Sequence, residues 1–137
     1  MDDPAAMRLL LDTHIWIWSC IRPERVSRAV RREIEKPSNE LHLSPVSVWE
    51  AHHLEQRGKL RLKLSFSEWL DQVFAQVPVR EAPFNFAVAA EACRIQLPQG
   101  DLGDIFLAAT ASVFDLTLVT ADIQLIDCAW LKTLANE

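Results

Sequence analysis

Four acidic residues stand at the edges of apolar stretches that are far apart in the chain. They are Asp12, Glu50, Asp104 and Asp122. A carboxylate beside a buried stretch is partly desolvated, and it stays ionised there only when a positive charge compensates it. No Lys or Arg is adjacent to any of the four in sequence. Hard oxygen ligands of this kind suit Mg²⁺ or Mn²⁺, so the pattern predicts a divalent-metal site.

The surrounding sequence predicts how these acids meet. Residues 9–11 and 117–119 are short apolar runs typical of buried strands, and Asp12 and Asp122 follow them. Because the carboxyl ends of parallel strands share one edge of a sheet, the two side chains can lie close together. Asp104 falls at a helix start, where free N–H groups favour an anion. Glu50, within two turns of the start of another helix, can point at the same crevice.

The elements that must position these acids alternate along the chain. Strands are predicted at 9–11, 41–43 and 117–119, and an extended segment at 59–64, where basic and apolar residues alternate. Helices are predicted at 24–36, from Ser44 to Gly58, from Ser65 to about residue 76, from Asn85 to about residue 95, and from about Asp104 to residue 114. Strands separated by helices indicate an α/β sandwich with a mostly parallel sheet.

Length and composition limit the class of protein. The chain has 137 residues, 50% of them hydrophobic and 24% charged, which predicts one domain, 1–137, with a substantial core. The net charge of −5 argues against a polyanionic partner, but four of the negative charges belong to the acids above, where metal ions would neutralise them. No apolar run could cross a bilayer and the start is acidic, so we expect a cytoplasmic protein. Cys20, Cys93 and Cys128 are interpreted as small core residues.

Four segments, in order, resemble a known family. They are residues 9–16 (LLLDTHIW), 44–51 (SPVSVWEA), 100–111 (GDLGDIFLAATA) and 116–122 (LTLVTAD). They resemble the PIN-domain ribonucleases, in particular the VapC-type toxins of bacterial toxin–antitoxin pairs. The similarity spans nearly the whole chain. One departure is that many relatives have Pro-Phe between the paired aspartates and Arg after the second, whereas here residues 101–105 are DLGDI. The missing Arg alters a salt bridge or an RNA contact in comparison with those relatives, and it leaves metal binding intact.

The resemblance implies a PIN-like three-layer sandwich and Mg²⁺- or Mn²⁺-dependent cleavage of RNA. It assigns catalysis and metal binding to Asp12, Glu50, Asp104 and Asp122, with supporting roles for Thr13, Asp101 and Thr120. Spacing alone favours Asp101 as the N-cap of the Asp104 helix rather than as a ligand. The resemblance also implies an RNA substrate, a cognate antitoxin, a homodimer and a toxin–antitoxin hetero-oligomer, with no membrane association.

Several alternatives stay open. Taken singly, the four acids could be turn, helix-end, loop or solvated residues. Arg25, Arg28 and Arg32 recur at helical spacing and are candidate RNA contacts, with Lys59, Arg61 and Lys63 as a second set, although such stripes are more often simply solvated. At least three of the five tryptophans are expected in packing or a dimer interface. The histidines lack zinc-protease spacing. The rival functions are a phosphoacceptor signalling domain and a PIN-fold binding module without activity.

Overall fold

The computed structural model describes residues 6–98 and 100–137, and its centre is a parallel sheet. The strands are β1 Arg8–Leu11, β2 Glu40–Leu43, β3 Arg80–Glu81, β4 Thr117–Thr120 and β5 Thr133–Ala135. They lie in the order β3-β2-β1-β4-β5, and every neighbouring pair is parallel. The predicted sheet is therefore confirmed, with β1 at its centre.

Seven α-helices connect or flank the strands of the described chain. They are α1 Thr13–Ile21, α2 Arg28–Glu35, α3 Pro45–Gln56, α4 Phe66–Gln76, α5 Phe86–Ala92, α6 Leu102–Phe114 and α7 Ile123–Ile126. Side chains cap several of them as the sequence predicts. Ser44, Ser65 and Asn85 accept hydrogen bonds from the backbone N–H of Val46, Glu68 and Val88.

The two faces of the sheet are covered by separate apolar clusters. Along β1, Leu9 and Leu11 enter a cluster with side chains of α1 to α4, whereas Leu10 enters a second cluster with side chains of α6 and α7. Alternate side chains of a strand point to opposite faces, so one strand supports both cores. All three leucines are fully buried. Helices on both faces of one sheet make the three-layer α/β sandwich that the sequence predicts.

The predicted helix 24–36 is wrong in its first turn. The chain forms a 3₁₀ turn at Pro23–Arg25, an extended residue at Val26, and only then α2. Ser27 causes the break, because its side chain accepts a hydrogen bond from Val30 N and starts the helix there. Arg25 is therefore not on the same helix as Arg28 and Arg32.

Other differences from the sequence predictions are local. The strands β3 and β5, of two and three residues, were not predicted, and α6 begins at Leu102 rather than near Asp104. Residues 59–64 form no strand, although Leu60 is buried between exposed Lys59 and Arg61. Cys93 is exposed, which corrects its assignment to the core, while Cys20 and Cys128 are half-buried.

Three of the five tryptophans pack in the core, as the sequence predicts. Trp16 and Trp69 are buried and lie 5.4 Å apart between ring centroids, and Trp18 packs against the same cluster. Trp49 and Trp130 are exposed. Among the described helices, none is long and apolar enough to cross a membrane.

Candidate active site

Asp12 and Thr120 meet at the carboxyl edge of the sheet because β1 and β4 are parallel neighbours. Leu11 is paired with Val119, so the next residues of the two strands come together. Thr120 Oγ1 donates a 2.6 Å hydrogen bond to Asp12 Oδ2 and accepts a 3.1 Å bond from Asp122 N. Thr120 is fully buried, so its hydroxyl has a fixed environment. The strand register thus sets the position of the Asp12 carboxylate.

Glu50 reaches the same edge from α3. Thr13 Oγ1, on the first turn of α1, donates a 2.6 Å hydrogen bond to Glu50 Oε1 and lies 2.8 Å from Ser47 Oγ. A hydroxyl has one proton, and an ionised carboxylate only accepts, so the Ser47 hydroxyl donates to Thr13 in this arrangement. Both hydroxyl residues are buried. The pair aligns the Glu50 carboxylate next to Asp12.

Asp104 is held by the first turn of α6. Asp101 caps this helix, and its Oδ1 accepts a 2.8 Å hydrogen bond from Asp104 N, as the sequence predicts. Between them, Gly103 lies against Glu50, since a Cβ at Gly103 would stand only 2.2 Å from Glu50 Oε2. The absence of a side chain at Gly103 therefore lets α6 approach α3, which brings Asp104 toward the other acids.

Mutual repulsion and burial act on the Asp104 carboxyl. Burial raises its pKa to about 7, helped by the negative charges of Asp101, Asp122 and Asp12, and the Asp122 carboxyl lies within hydrogen-bonding reach. Burial is the largest cause, and the neighbouring carboxylates raise the pKa further. The electrostatics therefore place Asp12, Asp104 and Asp122 around one pocket.

The remaining acids of the pocket are perturbed in the same direction. Burial raises the pKa of Asp12, while the hydrogen bond from Thr120 and the charge of His14 lower it. Burial also raises the pKa of Glu50, and the Thr13 hydrogen bond opposes that rise. The charge of His14 also lowers the pKa of Glu50, so the same side chain acts on both acids.

The donor set fits a divalent cation by charge and chemistry. In the described part of the chain, none of the four acids forms an ion pair with Lys or Arg. Carboxylate oxygens without thiolate partners are ligands for Mg²⁺ or Mn²⁺. Within residues 6–98 and 100–137, however, no three His, Cys, Asp or Glu side chains already stand at the separation of a metal site. The pocket therefore has the charge and donors for a cation, which would have to draw the carboxylates closer together.

The structure brings together the seven residues that the sequence nominates for catalysis, metal binding and support. These are Asp12, Thr13, Glu50, Asp101, Asp104, Thr120 and Asp122. The predicted basic stripe of Arg25, Arg28 and Arg32 does not form, because the break before α2 separates Arg25 from the other two.

Sequence reasoning missed Ser47 and Gly103. Ser47 precedes Glu50 by three residues, which places both on one face of α3, and that spacing was the available signal. The contact of Gly103 with Glu50 joins two segments far apart in sequence and had no such signal.

An all-parallel α/β fold with a carboxylate pocket at the carboxyl edge of its central strands defines the class of this protein. A family model described as "PIN domain" matches residues 9–131. The chain therefore belongs to the PIN-domain family, as its motifs predict.

Individual relatives agree with that assignment. The chain is 31% identical over 117 residues to "Ribonuclease VapC22" of Mycobacterium tuberculosis, covering 85% of this chain and 88% of the relative. It is similar in fold to VapBC2 from Rickettsia felis bound to a promoter DNA fragment, with a TM-score of 0.73, 18% identity, and coverage of 96% of this chain and 100% of that one. VapBC-1 from nontypeable Haemophilus influenzae aligns with a TM-score of 0.63 and 17% identity over 94% and 98% of the two chains.

Proposed function

We propose that the protein is a Mg²⁺- or Mn²⁺-dependent endoribonuclease that acts as the toxin of a toxin–antitoxin pair. The observation that carries this proposal is the pocket of four carboxylates from four different segments, with the Asp104 pKa raised to about 7. A PIN-domain chain with a relative named as a ribonuclease supports the same chemistry. The catalytic and metal-holding residues are Asp12, Glu50, Asp104 and Asp122.

The chain's own residues orient the acids that would hold the cation. Thr120 fixes Asp12, and Thr13 fixes Glu50, each through a hydrogen bond of 2.6 Å. Asp101 caps α6 and so sets the direction of Asp104. A cation supplies positive charge that lowers the pKa of an attacking water and offsets charge developing on the phosphodiester. Burial, with the neighbouring carboxylates, holds the pKa of Asp104 at about 7 in the absence of a cation, and a bound cation would favour the ionised form of this side chain.

Product ends test the reaction class. Direct attack of water leaves a 5′-phosphate and a 3′-hydroxyl, whereas attack by the ribose 2′-hydroxyl leaves a cyclic phosphate. We expect purified protein to produce 5′-phosphate ends with Mn²⁺ and no cleavage with EDTA. Asp12→Asn should abolish cleavage, with Asp127→Asn, a substitution of an exposed aspartate outside the pocket, as the matched control. EDTA-resistant cleavage with cyclic ends, or full activity of Asp12→Asn, would contradict the proposal.

The partners follow from the proposed toxin role. Solved structures of similar fold are VapBC toxin–antitoxin assemblies, one of them bound to promoter DNA. We therefore expect the protein to act on RNA in the cytoplasm, to form a homodimer, and to assemble with a cognate antitoxin into a larger hetero-oligomer.

Induced expression should arrest growth, and co-expression of a small protein encoded beside this chain should relieve the arrest. Growth arrest by the Asp12→Asn protein to the same extent would argue against RNA cleavage as the cause.

In the described chain, the lysine near the last strands stands on the wrong side of the sheet for the rival phosphoacceptor function. Such a site needs a Lys beside the aspartates at the carboxyl edge. Lys132 directly precedes β5 and forms a 2.7 Å ion pair with Asp115, which lies shortly before β4. Both residues are therefore at the opposite, amino edge of the sheet from Asp12 and Asp122. No observation favours this function over hydrolysis.

A further inference from the structure

A cleft of about 780 Å³ is lined in part by His14, which follows Asp12 by two residues. It is formed by α1, the 3₁₀ turn, α4 and the segment that connects α3 to α4. We call it the basic cleft; its polar and aromatic lining consists of His14, Trp18, Arg22, Arg25, Lys59, Arg61, Lys63, Trp69 and Gln72. Its volume is within the range of about 300–1,000 Å³ typical of ligand sites.

The basic cleft concentrates positive charge in an acidic protein. Five of its lining residues are Lys or Arg and none is Asp or Glu, although the whole chain has a net charge of −5. Within the described residues, these five side chains form no ion pair with a carboxylate. A uniform set of uncompensated cations around a concave surface attracts a polyanion.

Aromatic surface is present in the same cleft. The guanidinium carbon of Arg25 lies 5.4 Å from the ring centroid of Trp18, and the His14 ring lies 5.7 Å from that indole on the preceding turn of α1. Trp18 is only half-buried, and it lines the cleft. An indole beside a planar guanidinium is the kind of surface on which nucleic-acid bases stack.

His14 makes the basic cleft continuous with the acidic pocket. Its side chain lines the cleft, and it lies on the first turn of α1, two residues after Asp12. A strand that occupies the cleft would therefore continue directly to the carboxylates. This continuity favours the RNA substrate over a separate acidic protein, because an acidic peptide has no bases to stack and would bring further carboxylates to a pocket that repels them.

We propose that the basic cleft binds the single-stranded part of the RNA substrate next to the phosphodiester that is cleaved. Arg61 and Lys63 contact phosphates, and a base stacks against the surface formed by Trp18 and Arg25. This inference rests on the proposed function, and it adds the path of the strand and a single-stranded substrate.

Binding measured without cleavage tests the cations. We would measure the anisotropy of a labelled 12-nucleotide oligouridine with the full chain in EDTA, at several salt concentrations. The cleft variant is Arg61→Ala with Lys63→Ala, and the control is Arg28→Ala with Arg32→Ala, which removes equal charge from α2 outside the cleft. Only the cleft variant should bind the oligouridine about tenfold more weakly. The slope of the logarithm of its binding constant against the logarithm of salt concentration should be smaller by about 1.4, which is about 0.7 for each of two lost phosphate contacts. Equal weakening by both variants would overturn the proposal.

Stacking is tested at Trp18 with the same oligouridine. Trp18→Ala should weaken binding about tenfold, within the range for loss of one base-stacking side chain, and Trp18→Phe should retain most of the affinity. The matched control is Trp130→Ala, since Trp130 is exposed and lies outside the cleft. Circular dichroism and melting temperature establish that each variant is folded. Unchanged binding by folded Trp18→Ala would overturn the stacking role, and equal competition by an oligoglutamate peptide of the same charge would assign the cleft to an acidic protein instead.

The design separates this inference from the proposed function. If wild-type protein never cleaves RNA but the cleft variants still lose oligouridine binding, the nuclease proposal fails and the cleft proposal stands. If Asp12→Asn abolishes cleavage while the cleft and control pairs bind the oligouridine alike, the nuclease proposal stands and the cleft proposal fails.

Discussion

Thr120 joins the two central strands of the sheet to the acidic pocket through its 2.6 Å hydrogen bond to Asp12. It follows Val119 of β4, while Asp12 follows Leu11 of β1, and these two strand residues are paired in register. The same hydroxyl accepts from the backbone of Asp122. One buried side chain therefore positions two of the four acids.

Removing that hydroxyl should impair the pocket. Thr120→Val leaves a partly buried carboxylate without its donor, and hydrogen bonds to charged groups contribute about 1.5–3 kcal/mol. We expect RNA cleavage to fall roughly tenfold to a hundredfold. Thr120→Ser, which keeps the hydroxyl, should stay within a few-fold of wild type. Initial rates over a pH series are the measurement, and the activity of the Val variant should rise at higher pH than that of wild type. Equal activity of the Val and Ser variants would exclude this role.

Gly103 should be required for activity more than for stability. In Gly103→Ala the new methyl group would overlap Glu50 Oε2, and the flexible end of that side chain would move. Displacing the Glu50 carboxylate should lower cleavage by at least tenfold, while the melting temperature changes by only a few degrees. Leu102→Ala, at an exposed neighbouring position, is the control. A large loss of melting temperature in Gly103→Ala would instead indicate a packing role.

The stability of the metal-free protein should fall as pH rises. The folded-state pKa of Asp104 is about 7, above its ordinary 3.8, so between these values the folded protein holds a proton that the unfolded chain has released. Stability then decreases with pH across this window and levels off above about 7. Thermal melts in EDTA from pH 4.5 to 8 would measure this, and Asp104→Asn should reduce the slope. If melting temperature changes with pH in that variant as it does in wild type, the pH dependence does not come from Asp104.

A divalent cation should offset the repulsion among the carboxylates of the acidic pocket and so stabilise the folded protein. Mn²⁺ added at pH 8 should raise the melting temperature, because a ligand that binds the folded state stabilises it. The gain should be lost in Asp122→Asn and kept in Asp115→Asn, since Asp115 pairs with Lys132 away from the pocket. Calorimetric titration of Mn²⁺ gives the corresponding affinity. Equal gains in both variants would place the binding site elsewhere.

Local signals in the sequence predict much of this fold. Ser44, Ser65, Asn85 and Asp101 start helices in the structure as predicted, because each cap bonds to a backbone N–H two or three residues later. Buried strands at β1 and β4 were visible as apolar runs. Gly103 was not, because its contact with Glu50 depends on how two helices approach, and the strands β3 and β5 are too short to show a periodic pattern.

The break at Val26 shows how a local signal can mislead. The apolar spacing of residues 24–36 fits one helix, but Ser27 competes as a cap and moves the start to Arg28. This error placed Arg25 in a stripe with Arg28 and Arg32. In the fold, Arg25 instead lies over Trp18 and lines the basic cleft.

The scattering of the four acids along the chain has a consequence during synthesis. Asp122 follows β4, which must insert beside β1 before Thr120 can hold Asp12. A nascent chain that ends before this strand lacks both the fourth carboxylate and the hydroxyl that orients the first. The ribosome that makes this enzyme is therefore not exposed to a finished nuclease until translation has passed Asp122.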